Sequence, residues 1–149
     1  MIVEKLSELG YDIDPAPLKV LDLFDAAVRT GNLVFTSGQI PMLGETTVKG
    51  KVGSDLTIEE AAMAAEICAV NCLRAVAAVA DLESITRIVK LTGMVNVAPG
   101  FNDTSSVING ATEFLNEVFG SKGAHARSAV GMVLPGDWAV EVEMVVEVE

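Results

Sequence analysis

The sequence predicts an α+β fold, a sheet of five or six strands carrying two helices on one face. Three observations predict it. Two long segments keep the 3.6-residue apolar spacing of amphipathic helices. Several runs are rich in β-branched residues and bounded by glycine, proline or asparagine. The order along the chain is hairpin, helix, strand, helix, hairpin, so the helices cover one face and the other must be solvated or buried in a partner.

Residues 1–10 read as a short amphipathic helix ending at Gly10, followed by a loop with Pro15 and Pro17. Lys19 to Arg29 favours extended structure. Thr30-Gly31-Asn32 then turns the chain into Leu33-Val34-Phe35-Thr36, giving a hairpin. Gly44 to Gly53 reads as a loop carrying a short strand. Thr57 and Glu60 form a capping box, in which the threonine oxygen accepts an orphan N–H and the glutamate returns the bond. The helix behind it runs to about Ala80, with apolar positions from Ile58 through Ala65, Cys68 and Cys72 to Val76; its alanines allow close approach to a sheet.

Ile85 to Val97 is β-branched and ends at Pro99-Gly100. A second helix spans about Thr104 to Phe119, with Gly120 as its C-terminal cap. The last third reads as a hairpin: Arg127 to Leu134, a turn at Pro135-Gly136-Asp137, then Trp138 to Val148. In that final strand Val140, Val142, Met144, Val146 and Val148 alternate with Glu141, Glu143, Val145, Glu147 and Glu149. Leu33-Val34-Phe35 and Ile88-Val89 are apolar on both sides, which favours burial of the second face and hence oligomerisation.

Composition narrows the function. The 149 residues suit one domain over 1–149, with 1–17 as an N-terminal helix and loop. A net charge of −11 without a basic cluster argues against non-specific nucleic-acid binding, which draws its affinity from Lys and Arg on phosphates. No membrane span and no signal peptide are expected, so the simplest location is the cytoplasm. Cys68 and Cys72 have the wrong spacing for a redox pair, and with one histidine, His125, no metal set is complete. They read as small apolar residues on a buried helix face, and neither metal nor cofactor is expected.

Three segments carry a family resemblance. They are Thr36-Ser37-Gly38-Gln39-Ile40-Pro41; Ala126-Arg127-Ser128 with Leu134-Pro135 and Val140-Glu141-Val142-Glu143; and, between them, the Ala-rich helix and the Val107-Ile108-Asn109 helix. The combination resembles the reactive intermediate deaminase (Rid, or YjgF) family, over roughly residues 18 to 149, in a divergent branch often labelled endoribonuclease L-PSP or chorismate mutase-like. The resemblance implies a mixed sheet with two helices on one face, similar to chorismate mutase, in a homotrimer with a barrel-like core and sites between subunits. It also implies hydrolysis of enamines and imines to 2-keto acids and ammonia.

That chemistry needs a cation for the substrate carboxylate, a placed water and a proton relay. Arg127 suits the first, because a guanidinium grips a carboxylate through two parallel bonds; the bland alternative is an ion pair with Glu141 or Glu143. By resemblance Glu141 positions the water; the alternative is the solvated face of an edge strand. The predicted hairpin puts Arg127 opposite Met144 or Val145, so it and Glu141 must meet obliquely or come from different subunits. Gly38 resembles the backbone N–H donor to the carboxylate, beside Ser37, where ordinary turn chemistry is the alternative. Asn109 corresponds to a pocket asparagine or packs on its helix, and His125 tunes the pocket, supplies a proton or simply packs. Two positions depart from the family pattern: Phe24 stands where a pocket tyrosine is expected, and Ala129 where a cysteine is, keeping only the backbone carbonyl that helps hold the water. An imine hydrolase, a non-catalytic carboxylate-binding trimer and a ribonuclease therefore remain the competing functions.

Overall fold

The computed structural model describes Met1–Glu149 throughout. Helix α1 spans Ile2–Glu8. Two short ribbons follow its loop: β1 (Lys19–Val20) pairs with β2 (Phe24–Asp25), and β3 (Ala27–Thr30) pairs with β4 (Leu33–Thr36). The expected extended run from Lys19 is thus interrupted at Leu21 and Asp22, both at positive φ, and resumes in the expected hairpin. Met42–Leu43 (β5) and Thr46–Thr47 (β6) make a small ribbon about Gly44.

Helix α2, Ile58–Ala77, starts at Thr57, whose Oγ1 accepts from the Glu60 N–H at 3.1 Å. Its alanines and cysteines face inward; Cys68 and Cys72 are fully buried and their thiols point at the Val140 and Val142 carbonyls. Strand β7 is Ile85–Asn96, α3 is Thr104–Phe119, β8 is Ala126–Met132 and β9 is Val140–Val148. Asp103 caps α3, and Gly120 ends it at φ 59°. The two helices approach so closely that a Cβ on Gly110 would run into the Ala62 carbonyl of α2. No helix is long and apolar enough to cross a membrane.

The main sheet has the order β3-β4-β9-β7-β8. Only β7 and β8 are parallel, joined through α3 as a parallel pair requires a crossover. The expected C-terminal hairpin is corrected here: β8 and β9 do not pair. Strand β9 runs antiparallel between β4 and β7, and β8 takes the edge beyond β7. The cause lies at the end of β7. Buried Asn96 donates through Nδ2 to the Gly50 carbonyl and to Asp137 Oδ1, and its backbone N–H donates to the Ala139 carbonyl. These bonds hold the Pro135–Asp137 turn across the end of β7, delivering the chain to its other side.

The residues of β9 explain the central place. Val140, Val142, Met144, Val146 and Val148 are all at most 2 % exposed beneath the helices, each contributing about 1.5–3 kcal/mol of burial. Small and polar Ala126-Arg127-Ser128 suits an edge better. The face away from the helices bears Val28, Phe35, Val130 and Met132, all more than a third exposed.

Candidate functional site

The expected site residues fall into two groups, at separate places on the sheet. The first is built around the end of β4. Six residue steps from Leu33 to Gln39 face only five from Glu147 to Val142, so β4 carries one extra residue where it meets β9. Such a β-bulge leaves a residue outside the ladder. Ser37 is tied down, its N–H donating to the Ala26 carbonyl and its hydroxyl to the Asp25 carbonyl at 2.7 Å. Gln39 exchanges both backbone bonds with Val142. Gly38, between them, has an N–H with no partner.

Glu141 lies against Gly38, and any Cβ there would overlap its carboxylate. Gly38 is therefore needed for space rather than for a positive φ. Burial first, and then the neighbouring Glu143, push the Glu141 carboxyl above the usual glutamate range. The expectation of an edge strand is corrected: Glu141 sits on a central strand, on the sheet face away from the helices. Alongside, a cleft of about 470 Å³ is walled by Pro17, Val20, Phe24, Ser37, Gly38 and Met42. Phe24 is 47 % exposed and presents an apolar ring there.

The second group sits at the opposite side of the sheet. Arg127 pairs with Leu91, which pairs with Met144, so the three side chains share the helix-covered face. The guanidinium lies along α3, Nη1 donating to Thr112 Oγ1 at 3.0 Å and Nη2 to the Ser105 carbonyl at 3.3 Å. The alternative, an ion pair with Glu141 or Glu143, does not form within the chain, whose single ion pair joins Lys19 to Asp25. Asn109 is exposed on the helical stripe between Ser105 and Thr112, which places it beside the guanidinium. Ala129 pairs with Gly93, and its carbonyl accepts from Thr104 Oγ1 at 2.9 Å, leaving one lone pair.

Within one chain, then, Phe24, Ser37, Gly38 and Glu141 are brought together, and so are Arg127, Asn109 and Ala129. The two groups are not. Glu141 and Arg127 lie on opposite faces of the sheet, on strands about 10 Å apart. Three contributors escaped the sequence reading. Thr112 and Ser105 hold the arginine, and the bulge exposes the Gly38 N–H. Ser37-Gly38 at a strand end hinted at a bulge; nothing local marked Thr112. His125 is half-buried with both ring nitrogens engaged, Nε2 with Thr112 Oγ1 and Nδ1 with the Gly123 carbonyl. The buried thiols are no nucleophiles, since burial drives Cys68 well up and pushes Cys72 up to about 12.

Comparison with known proteins agrees with this architecture. Residues 13–146 match the model of the family described as "YjgF/chorismate mutase-like, putative endoribonuclease". Protein TCP17 of Trypanosoma cruzi is 37 % identical over 151 residues, covering 98 % of this chain and 93 % of that protein. Among solved structures, protein Atu1372 of unknown function from Agrobacterium tumefaciens superposes with a TM-score of 0.88 at 40 % identity, covering 99 % of this chain and 92 % of that one. A Shewanella oneidensis protein titled a "putative endoribonuclease" reaches 0.90 at 26 % identity, with 99 % of each chain covered. The chain belongs to the YjgF/chorismate mutase-like family.

Proposed function

We propose that the chain forms a homotrimer whose inter-subunit clefts hydrolyse small carboxylate-bearing imines and enamines to 2-keto acids and ammonia. The observation that carries this is the state of Arg127. Its guanidinium is fixed by two neutral acceptors on α3 and has no carboxylate partner, so its remaining N–H groups are free for an anion. An arginine held this way at a sheet edge is a carboxylate receptor lacking its carboxylate.

Assembly supplies the missing half. The Gly38–Glu141 group of one copy faces the Arg127 edge of another, across the apolar surface of Val28, Phe35, Val130 and Met132. Arg127 holds the substrate carboxylate in a fork, and the free Gly38 N–H adds a donor. Glu141, whose raised pKa makes it a better base, takes a proton from water as the oxygen attacks the imine carbon. With the imine nitrogen protonated, this gives the neutral carbinolamine; Glu141 then passes the water proton to nitrogen, the C–N bond breaks, Glu141 takes the hydroxyl proton, and ammonia and a 2-keto acid leave. We place this chemistry in the cytoplasm, beside the pyridoxal-phosphate enzymes that release such imines.

The test couples the purified protein to an enzyme that generates an imine from an amino acid. Keto acid and ammonia should appear faster with the wild type, and Arg127→Ala should lose nearly all of that acceleration. Identical rates with and without protein, across several amino-acid-derived imines, would end this reading.

A second reading, a non-catalytic carboxylate-binding trimer, is favoured by Phe24, which offers no hydroxyl, and by the Ala129 carbonyl, already engaged by Thr104. Thermal stabilisation by 2-keto acids without turnover supports it, because a ligand that binds only the native state stabilises it. The ribonuclease in the family description fits this chain poorly: a net charge of −11 opposes phosphate binding.

A further inference from the structure

We infer that His125, acting through Thr112, is a positioning residue for the Arg127 guanidinium, an inference that rests on reading Arg127 as the carboxylate-holding group. With the imidazole neutral, the hydrogen bonds between them run in one direction only. The Gly123 carbonyl can accept but not donate, so the ring nitrogen 2.6 Å away, Nδ1, carries the hydrogen. In the neutral ring Nε2 is then an acceptor. The Thr112 hydroxyl, 3.0 Å away, must donate to it. That turns the hydroxyl hydrogen away from Arg127 and leaves an oxygen lone pair for the Nη1–H, also 3.0 Å away.

The order is therefore Arg127 to Thr112, Thr112 to His125, His125 to the Gly123 carbonyl. Each donor has an acceptor, and none points back. Because both ring nitrogens are engaged, His125 has none free to meet a substrate, which separates it from a general acid. Thr112 is well suited to the middle position. It is β-branched and on a helix, so its side chain is stiff, whereas the arginine it holds is long and mobile. The Ser105 carbonyl fixes a second nitrogen of the same group, so the fork is pinned at two points of α3. A receptor held in its binding geometry binds more tightly, because less side-chain freedom is lost when the anion arrives.

The experiment measures the dissociation constant of pyruvate by calorimetry on the full chain. Thr112→Val should weaken binding about tenfold, the scale of a lost hydrogen bond to a charged group. His125→Leu should weaken it several-fold, while Thr112→Ser and His125→Gln, which keep a hydroxyl and an acceptor, should restore most of the affinity. The double variant Thr112→Val/His125→Leu should bind no more weakly than Thr112→Val alone, because the histidine acts only through the threonine. Independent multiplying losses, or wild-type affinity in both single variants, would overturn the inference. Nitrogen-15 NMR of the unliganded protein should show the Nδ1–H tautomer at His125, and the Nε2–H tautomer would also overturn it. Arg127-dependent pyruvate binding that ignores both neighbours defeats this inference alone. Wild-type protein that does not bind pyruvate, or Arg127→Ala that binds as well as wild type, defeats the carboxylate reading and this inference with it.

Discussion

The two sides of the sheet solve different problems with different materials. Around Gly38 the site is made by subtraction: an extra residue breaks the ladder, a missing side chain admits the Glu141 carboxylate, and a backbone N–H is left unpaired. Around Arg127 it is made by addition, with a charged side chain laid on a helix and held there by a hydroxyl and a carbonyl. The comparison teaches that the first half depends on room and the second on orientation. Substitutions should therefore damage them in different ways.

The largest effect is expected at Arg127. Arg127→Ala should lower kcat/KM for imine hydrolysis by roughly a thousandfold, the scale seen when a fixed charge-stabilising donor is removed. Arg127→Lys should recover little of it, since an ammonium cannot form the fork. A full recovery by lysine would show that charge rather than orientation matters there, and the contrast between the two sides would lose its basis.

Gly110 serves as a control outside both groups. Gly110→Ala should destabilise the protein by about 3 kcal/mol, because the added methyl meets the backbone of α2 and the usual helical gain of alanine is lost. Chemical denaturation measures it, and a stabilised variant would mean that the helices can separate without cost. Next in size, Gly38→Ala should cut activity by about tenfold while changing stability by only about 1 kcal/mol, since a Glu141 side chain can swing aside but no longer stands over the water. Unchanged activity would remove Gly38 from the site.

The smallest effect is electrostatic. The Glu141 carboxyl is raised above its unfolded value, so its contribution to stability is complete below the unfolded pKa and is lost as pH rises through the folded one. Glu141→Gln should then melt slightly higher than wild type at pH 7 and equally at pH 3, while its activity falls at every pH. A variant that melts lower at pH 7 would show that the carboxylate is stabilised in place rather than strained by burial.

Much of this was legible in the sequence. The Thr57 cap, the Gly120 terminus and the alternation of β9 are local patterns, set by side chains within a few residues of one another. Arg127, Gly38 and Glu141 could be singled out from their motifs. What could not be read was which strand lies beside which. Alternation along Val140–Val148 shows which side is buried but not who the neighbours are. That was decided by Asn96, about forty residues before the turn it holds. The misplaced hairpin had a direct consequence for the site, because it set Arg127 beside β9 when β7 lies between them. The hold of Thr112 on Arg127 was equally hidden, since a threonine within an amphipathic helix carries no sign of what approaches it from another element.

The central position of β9 also bears on how the protein is made. A ribosome releases the chain from its N-terminus, so β3, β4, β7 and β8 emerge before the strand that unites them. Before Val140–Val148 emerges, the main-sheet strands can pair only as two ribbons, β3 with β4 and β7 with β8, each with apolar residues and open edges. The final nine-residue strand completes both at once. Loss of that strand would leave no reduced version of the sheet but two incomplete ones, with the glutamate of the proposed site gone as well.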